Sequence, residues 1–428
     1  MRSALYADRM GETVVDTITA VWRAESARLV GALTRITRDL DLAEDLAQDA
    51  LLSALESWPT AGVPDNPGGW LMTTAKRRAI DTFRRAENLR HKTELLGHGL
   101  TEEDGMPDLT SQVDFIEDDV LRLIFLSCHP SLTPDSRAAL TLRLVGGLTT
   151  GEIARSFLVA ESAMGQRISR AKKTLADARA NFELPVGDER AARLDDVMTV
   201  VYLIFNEGYT ATAGGDWMRP ELTHEAIRLA RMLAGLIPDE PDVHGLQALL
   251  ELQASRSPAR VDATGNAVLL DDQDRSLWDE LLIRRGLAAL DRASRLAATG
   301  KPVGRYYLQA AIAAHHARAA DPSETDWRAI ADLYDVLAQA APGPVVEVNR
   351  AVAYGRAFGP EEGLAILEGV SLPGSHLPPS VRGDLLDRAG RHPEAASAFR
   401  EAAELTDNES ERALLLRRAV DSDHGASS

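Results

Sequence analysis

The sequence predicts an all-α protein: two small helical domains, then a large helical tail. Three observations carry this. Alanine, leucine and arginine are abundant while aromatics make up only 5% of 428 residues, and β-branched runs are few, a balance that favours helix over sheet. Apolar residues recur at helical spacing in both N-terminal parts. Near the C-terminus, two helical stretches repeat 33 residues apart.

The first domain is expected over residues 10–92. Between Glu25 and Trp58, Leu29, Leu33, Ile36, Leu40, Leu46, Ala50 and Leu55 recur at helical spacing. Asn66 and Pro67 then supply an N-cap and a first-turn proline for a further helix. Along "WLMTTAKRRAIDTFRR" (70–85), Met72, Ala75, Ala79 and Phe83 fall on one face, with Leu71 and Ile80 at its edges. The opposite face carries Trp70, Thr73, Arg77, Asp81, Arg84 and Arg85. Residues 93–114 are polar, weakly periodic and punctuated by Gly and Pro, as in a linker.

The second domain is expected over residues 115–182. Its stretch "LTTGEIARSFLVAESAMGQRISRAKKTL" (148–175) reads as a helix-turn-helix. Ile153, Ala154 and Phe157 face inward on the first helix and "LVA" makes the turn. Met164, Ile168, Ala171 and Leu175 form the buried stripe of the second helix. Its other face presents Ser162, Gln166, Arg167, Ser169, Arg170 and Lys173, side chains of the kinds that read base edges and anchor on phosphates.

The tail is expected over residues 188–425, as amphipathic helices broken by "PDEPD", "ATGKPVG", "AAPGP" and "LPGSHLPP". "GPEEGLAILEGV" (359–370) aligns with "HPEAASAFREAA" (392–403), each after another amphipathic helix. Two helices per unit at this period fit a tetratricopeptide-like (TPR) repeat over about 344–404. Two units are too few to stand alone, so they must pack on the preceding helices.

Charge limits the function classes. The chain carries a formal charge of −18, which argues against non-specific nucleic-acid binding by the whole molecule. Basic residues cluster locally: Lys76, Arg77, Arg78, Arg84, Arg85, Arg90 and Lys92 in the first domain, and Arg155, Arg167, Arg170, Lys172, Lys173 and Arg179 in the second. The one cysteine, Cys128, sits in the apolar run "LRLIFLSC" and reads as a buried small residue. No stretch approaches a membrane span and the N-terminus lacks a signal-peptide pattern, so a cytoplasmic protein without membrane contact is expected.

The helix-turn-helix segment resembles region four of extracytoplasmic-function (ECF) sigma factors of the sigma-70 family. It carries their Leu at 148, Glu-Ile-Ala at 152–154, Arg at 167, Arg-Ala at 170–171 and Leu at 175. It departs from them at Leu158, where the turn glycine is usual, and at Gly165, where a lysine is usual. "DLAEDLAQDALLSALES" (41–57) resembles region 2.2, and "GGWLMTTAKRRAIDTFRR" (68–85) regions 2.3 and 2.4. In the tail, "VYLIFNEGY" (201–209), "DDQDRSLWD" (271–279), "YYLQAAIAAHHA" (306–317) and "VNRAVA" (348–353) resemble the long TPR-like extension of one ECF subgroup.

The resemblance implies roles. Asp41, Glu44, Asp45, Gln48 and Asp49 would dock on the β′ coiled coil of core RNA polymerase. Trp70, Lys76, Arg77, Arg78, Arg84 and Arg85 would hold the melting minus-10 element, with Trp70 either stacked on a base or packed on a neighbouring helix. Ser162, Gln166, Arg167, Ser169, Arg170 and Lys173 would contact the minus-35 element while region four meets the β flap. The tail would be a fused regulatory domain in intramolecular contact with the sigma domains.

Catalysis, a cofactor and a metal are not expected. His315 and His316 are adjacent, hence about 100° apart on a helix, and no phosphate loop or nucleophile elbow occurs. Asn206 and Asn349 read as buried residues fixing helix junctions. Two alternatives remain at this level: a helix-turn-helix regulator with a TPR sensor, and a TPR scaffold or enzyme with an incidental helix-turn-helix.

Overall fold

A computed structural model describes residues 2–94, 117–157, 159–209, 218–262, 268–406 and 408–425. Most of the expected linker, and Leu158 in the helix-turn-helix turn, lie outside the described residues. All regular elements among the described residues are helices. They form two compact units, residues 1–200 and 201–428.

The first unit holds α1 (Arg2–Thr37), α2 (Leu40–Ala61), α3 (Pro67–Glu94), α4 (Glu117–Ser127), α5 (Pro134–Leu144), α6 (Thr150–Ser156), α7 (Glu161–Asp177) and the start of α8 (Gly187–Tyr209). Caps explain where several begin. Asp39 accepts from the Leu42 N–H at 3.0 Å, and Asn66 from the Gly69 N–H at 2.9 Å with Pro67 following. Thr149 and Glu152 cap α6 reciprocally. The expected apolar stripes are inward: Leu29, Leu33, Leu46, Ala50, Leu71, Met72, Ala75 and Ala79 are buried. Leu55 is an exception at 38% exposed, because Ala54 and Trp58 take the inward side of that turn of α2 and leave Leu55 on the solvent side with Leu52 and Glu56.

The two N-terminal halves pack directly on one another. Gly31 of α1 lies so close to α4 that a Cβ there would stand 2.8 Å from the Asp119 carbonyl oxygen. Asp119, 1% exposed, accepts from Arg35 Nε and Arg122 Nη1, each at 2.8 Å. Trp22 Nε1 donates to the Gly147 carbonyl at 3.1 Å, in a turn that Gly147 enters at φ +70°. Cys128 is buried beside Thr141, and burial pushes its thiol pKa up to about 11.

The second unit continues with α9 (Pro220–Leu236), α10 (Pro241–Ala254), α11 (Glu280–Ala298), α12 (Arg305–Arg318), α13 (Trp327–Ala340), α14 (Pro344–Phe358), α15 (Pro360–Glu368), α16 (Leu377–Arg388), α17 (His392–Leu405) and α18 (Glu409–Gly425). The central helix is α10, which packs on α9, α11 and α12. Gly245 lets α12 approach it: a Cβ there would meet the Tyr307 nitrogen at 2.5 Å. The repeated segments are the hairpins α14–α15 and α16–α17. They do not stand alone: α13 packs on α14, and Leu415 and Ala419 of α18 join Phe399 and Ala402 in the core of the last hairpin.

Polar tail residues mostly serve this scaffold. Asp271 binds Arg356 and Arg388, Asp326 caps α13, and Glu207 pairs with Arg219. Asn206 and Asn349 are exposed rather than buried: Asn206 hydrogen-bonds the Tyr202 side chain, and Asn349 borders an open cavity between helices instead of a packed junction. No group of three or more His, Cys, Asp or Glu among the described residues can hold a metal, and no described helix is long and apolar enough to cross a membrane.

Candidate nucleic-acid interface

Helix α3 presents an exposed cationic face. Arg77, Arg84 and Arg85 are exposed and pair with no carboxylate among the described residues. Lys76 is half-buried. Arg78 differs: its Nη1 lies 2.8 Å from Asp49 and its Nη2 donates to Ser53 Oγ at 2.8 Å, so it braces α3 against α2. Trp70 is half-buried and meets the buried Trp58 of α2 edge to face, ring centroids 5.3 Å apart. The indole therefore packs on the neighbouring helix, beside the arginine face.

Helices α6 and α7 form the helix-turn-helix. Ile153, Ala154, Met164, Ile168, Ala171 and Leu175 are buried, and Phe157 is half-buried. Their burial turns Ser162, Gln166, Ser169, Arg170 and Lys173 to solvent along one face of α7. Arg167 lies at the border of that face, 31% exposed, with its guanidinium 3.7 Å from Asp135 of α5.

The acidic face of α2 is largely engaged within the unit. Asp45 is exposed and has no ion-pair partner among the described residues, and Gln48 is half-buried. Asp49 holds Arg78. Glu44 is only 6% exposed. Its Oε1 accepts from Arg143 Nε of α5 at 2.6 Å, and its Oε2 stands 2.6 Å from Lys172 Nζ of α7, an ion pair without hydrogen-bond geometry. Lys172 also reaches Asp41 at 2.8 Å. Burial lowers the Lys172 pKa, but Glu44 and Asp41 outweigh it and hold the ammonium above its ordinary range. Arg23 and Glu152 add a further bond between α1 and α6 at 2.8 Å. In the sequence Glu44 stands only as one of five residues of an expected docking face, and Lys172 only as one basic residue among six. Their pairing spans 128 positions, and no local pattern encodes such a contact.

The comparisons agree with this layout. The family model described as Sigma-70 region 2 matches residues 21–88, and that described as Sigma-70, region 4 matches residues 122–175. Residues 193–294 match a family of unknown function (DUF6596). An uncharacterized protein of Rhizobium meliloti (strain 1021) is 45% identical over 390 residues, 90% of this chain and 91% of its own. The ECF RNA polymerase sigma factor SigK of Mycobacterium sp. (strain KMS) is 30% identical over 149 residues, 33% of this chain and 72% of SigK. A solved tetratricopeptide repeat protein from Parabacteroides merdae ATCC 43184 is similar over 63% of this chain and 98% of its own, at 14% identity and a TM-score of 0.34, too slight a likeness to bear on function. With regions two and four matched in order, and with SigK alike over most of its length, the chain belongs to the ECF sigma factors of the sigma-70 family and carries a long helical C-terminal extension.

Proposed function

We propose that this chain binds core RNA polymerase and directs promoter-specific initiation of transcription, with its C-terminal unit as a fused, non-catalytic regulatory domain. The observation that carries the reading is the exposed face of α7, where Ser162, Gln166, Ser169, Arg170 and Lys173 stand clear of a well-buried stripe. Such a face suits a major groove: Gln and Arg read base edges, and Lys anchors on phosphate. The unpaired Arg77, Arg84 and Arg85 on α3 suit the backbone of a melted minus-10 strand. Asp45, with Asp41, Glu44, Gln48 and Asp49, suits a basic helix such as the β′ coiled coil, and region four suits the β flap.

The ion pairs of Glu44 and Asp41 add a condition. In this arrangement Arg143 and Lys172 cover part of the α2 dock, so region four must lift from α2 before the whole acidic face can meet polymerase.

Gel filtration with core polymerase, followed by footprinting on a promoter library, tests the reading. The protein should co-elute with core enzyme, and Asp45→Lys should weaken co-elution by charge repulsion while leaving helicity intact. Arg167→Ala or Gln166→Ala should cost about 1–3 kcal/mol of discrimination at one minus-35 position, whereas Lys173→Ala should weaken all sites evenly. Unchanged sequence preference in both specificity variants would overturn the assignment of α7.

A further inference from the structure

The second unit contains a cavity of about 340 Å3, within the range of small-molecule sites. It opens between α10, α12, α13, α14 and the turn leading to Trp278. Rings make much of its wall: Tyr202, Trp278, Trp327 and Tyr334. Arg256 supplies the one formal charge among its described lining residues. That guanidinium donates to the Tyr209 hydroxyl at 2.8 Å and pairs with no carboxylate among the described residues. Three lining side chains hold buried nitrogens without a hydrogen-bond partner: Nε1 of Trp278, Nε1 of Trp327 and Nδ1 of His316. An indole N–H can only donate, and a buried donor left unmet is costly.

We propose that this cavity binds a planar aromatic carboxylate, its ring between the aromatic walls and its carboxylate on Arg256. A neutral aromatic would leave the Arg256 cation unpaired in a partly desolvated site. An aromatic-walled cavity can also take an organic cation, but the local field opposes one. Arg275 lies 5.0 Å over the Trp278 ring, and Arg356 lies 4.6 Å over the Trp327 ring. Of the carboxylates that act on Arg275, Asp271 is already bound to Arg356 and Arg388, and Asp321 and Glu324 are not among the lining residues of the cavity. Burial, together with Arg256 and Arg275, pushes the His316 pKa down to about 4, so the imidazole is neutral at pH 7 and adds no counter-charge of either sign. Gln253 and Gln309 complete the wall with groups that both donate and accept. The inference rests on the second unit alone and does not depend on the transcriptional reading.

Titration of the full chain with 2-naphthoate, followed by tryptophan fluorescence and calorimetry, tests it. One site should saturate, with a Kd below about 1 mM. The amide, 2-naphthamide, should bind at least about ten-fold more weakly, a difference of about 1.4 kcal/mol, and the ammonium 2-naphthylmethylamine more weakly still. Arg256→Met should abolish the preference for the carboxylate over the amide, and Arg256→Lys should retain part of it. Circular dichroism on both variants separates lost charge from lost fold: the two variants should match the wild type in helicity. Three results would each overturn the proposal: no saturation by 2-naphthoate, equal binding of the ammonium, or undiminished carboxylate preference in a folded Arg256→Met protein.

Discussion

Single residues on α3 divide into braces and unpaired cations, although the sequence alone groups all of them in one basic surface. Trp70 rests on Trp58, and Arg78 is held by Asp49 and Ser53, whereas Arg84 and Arg85 stand free of carboxylates. Trp70→Ala should therefore lower the stability of the first unit by about 1–3 kcal/mol, through lost burial and the lost ring contact. Arg85→Ala should change stability by less than about 0.5 kcal/mol while reducing the salt dependence of promoter binding. Chemical denaturation and a salt titration of DNA affinity check the pair. In the second unit, His316 is the residue whose titration should show. Its folded pKa of about 4 lies below its unfolded value, so the native state binds fewer protons. Stability from this group is fully present above the unfolded pKa, near 6.5, and is lost as pH falls toward about 4. Comparing wild type with His316→Gln by thermal unfolding should show the wild type losing more stability over that window.

At the scale of the element, α7 serves two surfaces. One face is exposed and is the face we propose for DNA, and Lys172, on its flank, reaches back to Glu44 and Asp41 of α2. Removing that cation leaves Glu44 with Arg143 alone. Lys172→Met keeps the apolar stem and should weaken the contact between α2 and α7 by about 1–3 kcal/mol. Spin labels on the exposed faces of α2 and α7 should then report a larger or broader separation, and core polymerase should bind the variant more tightly because less work is needed to free the dock. Wild-type distances together with wild-type affinity would show that Lys172 does not hold the two helices. The start of α3 is readable in the sequence, and that of α6 is fixed in the same way, for a local reason. Asn66 with Pro67, and Thr149 with Glu152, place their donors and acceptors within one turn.

At the scale of the whole molecule, the first unit includes more of α8 than the sequence assigned to it. Arg193 donates to the Phe125 carbonyl at 2.7 Å, and Asp196 accepts from Arg137 at 2.8 Å. Both lie beyond residue 182, where the second domain was expected to end. A chain ending at Pro185 should therefore lose these bonds and unfold at lower temperature than one ending at Val200. Only the longer truncation is then a fair test of the C-terminal extension. If the extension braces the sigma domains, run-off transcription by the chain ending at Val200 should fall sharply. If it shields the basic patches, promoter-independent DNA binding should rise instead. Wild-type transcription and DNA affinity in that truncation would exclude both roles.

What the sequence determined by itself was local or periodic: helix identity, the cap of α3, the buried stripes of α3 and α7, the helix-turn-helix and the repeated pair of helical hairpins. Each follows from residues within a few turns of one another, where spacing translates directly into a face. Cys128 belongs here too, because its apolar run carried the expectation of burial that its position bears out. Tertiary structure alone decided which charges are free. Glu44, Asp41 and Lys172 look like surface residues in one dimension, and only packing of α5 and α7 against α2 joins them. The same holds for the cavity, whose walls come from segments spread between Tyr202 and Val352. Ion pairs and cavities depend on approach between distant segments, and side-chain chemistry fixes what such groups can do without fixing which of them meet.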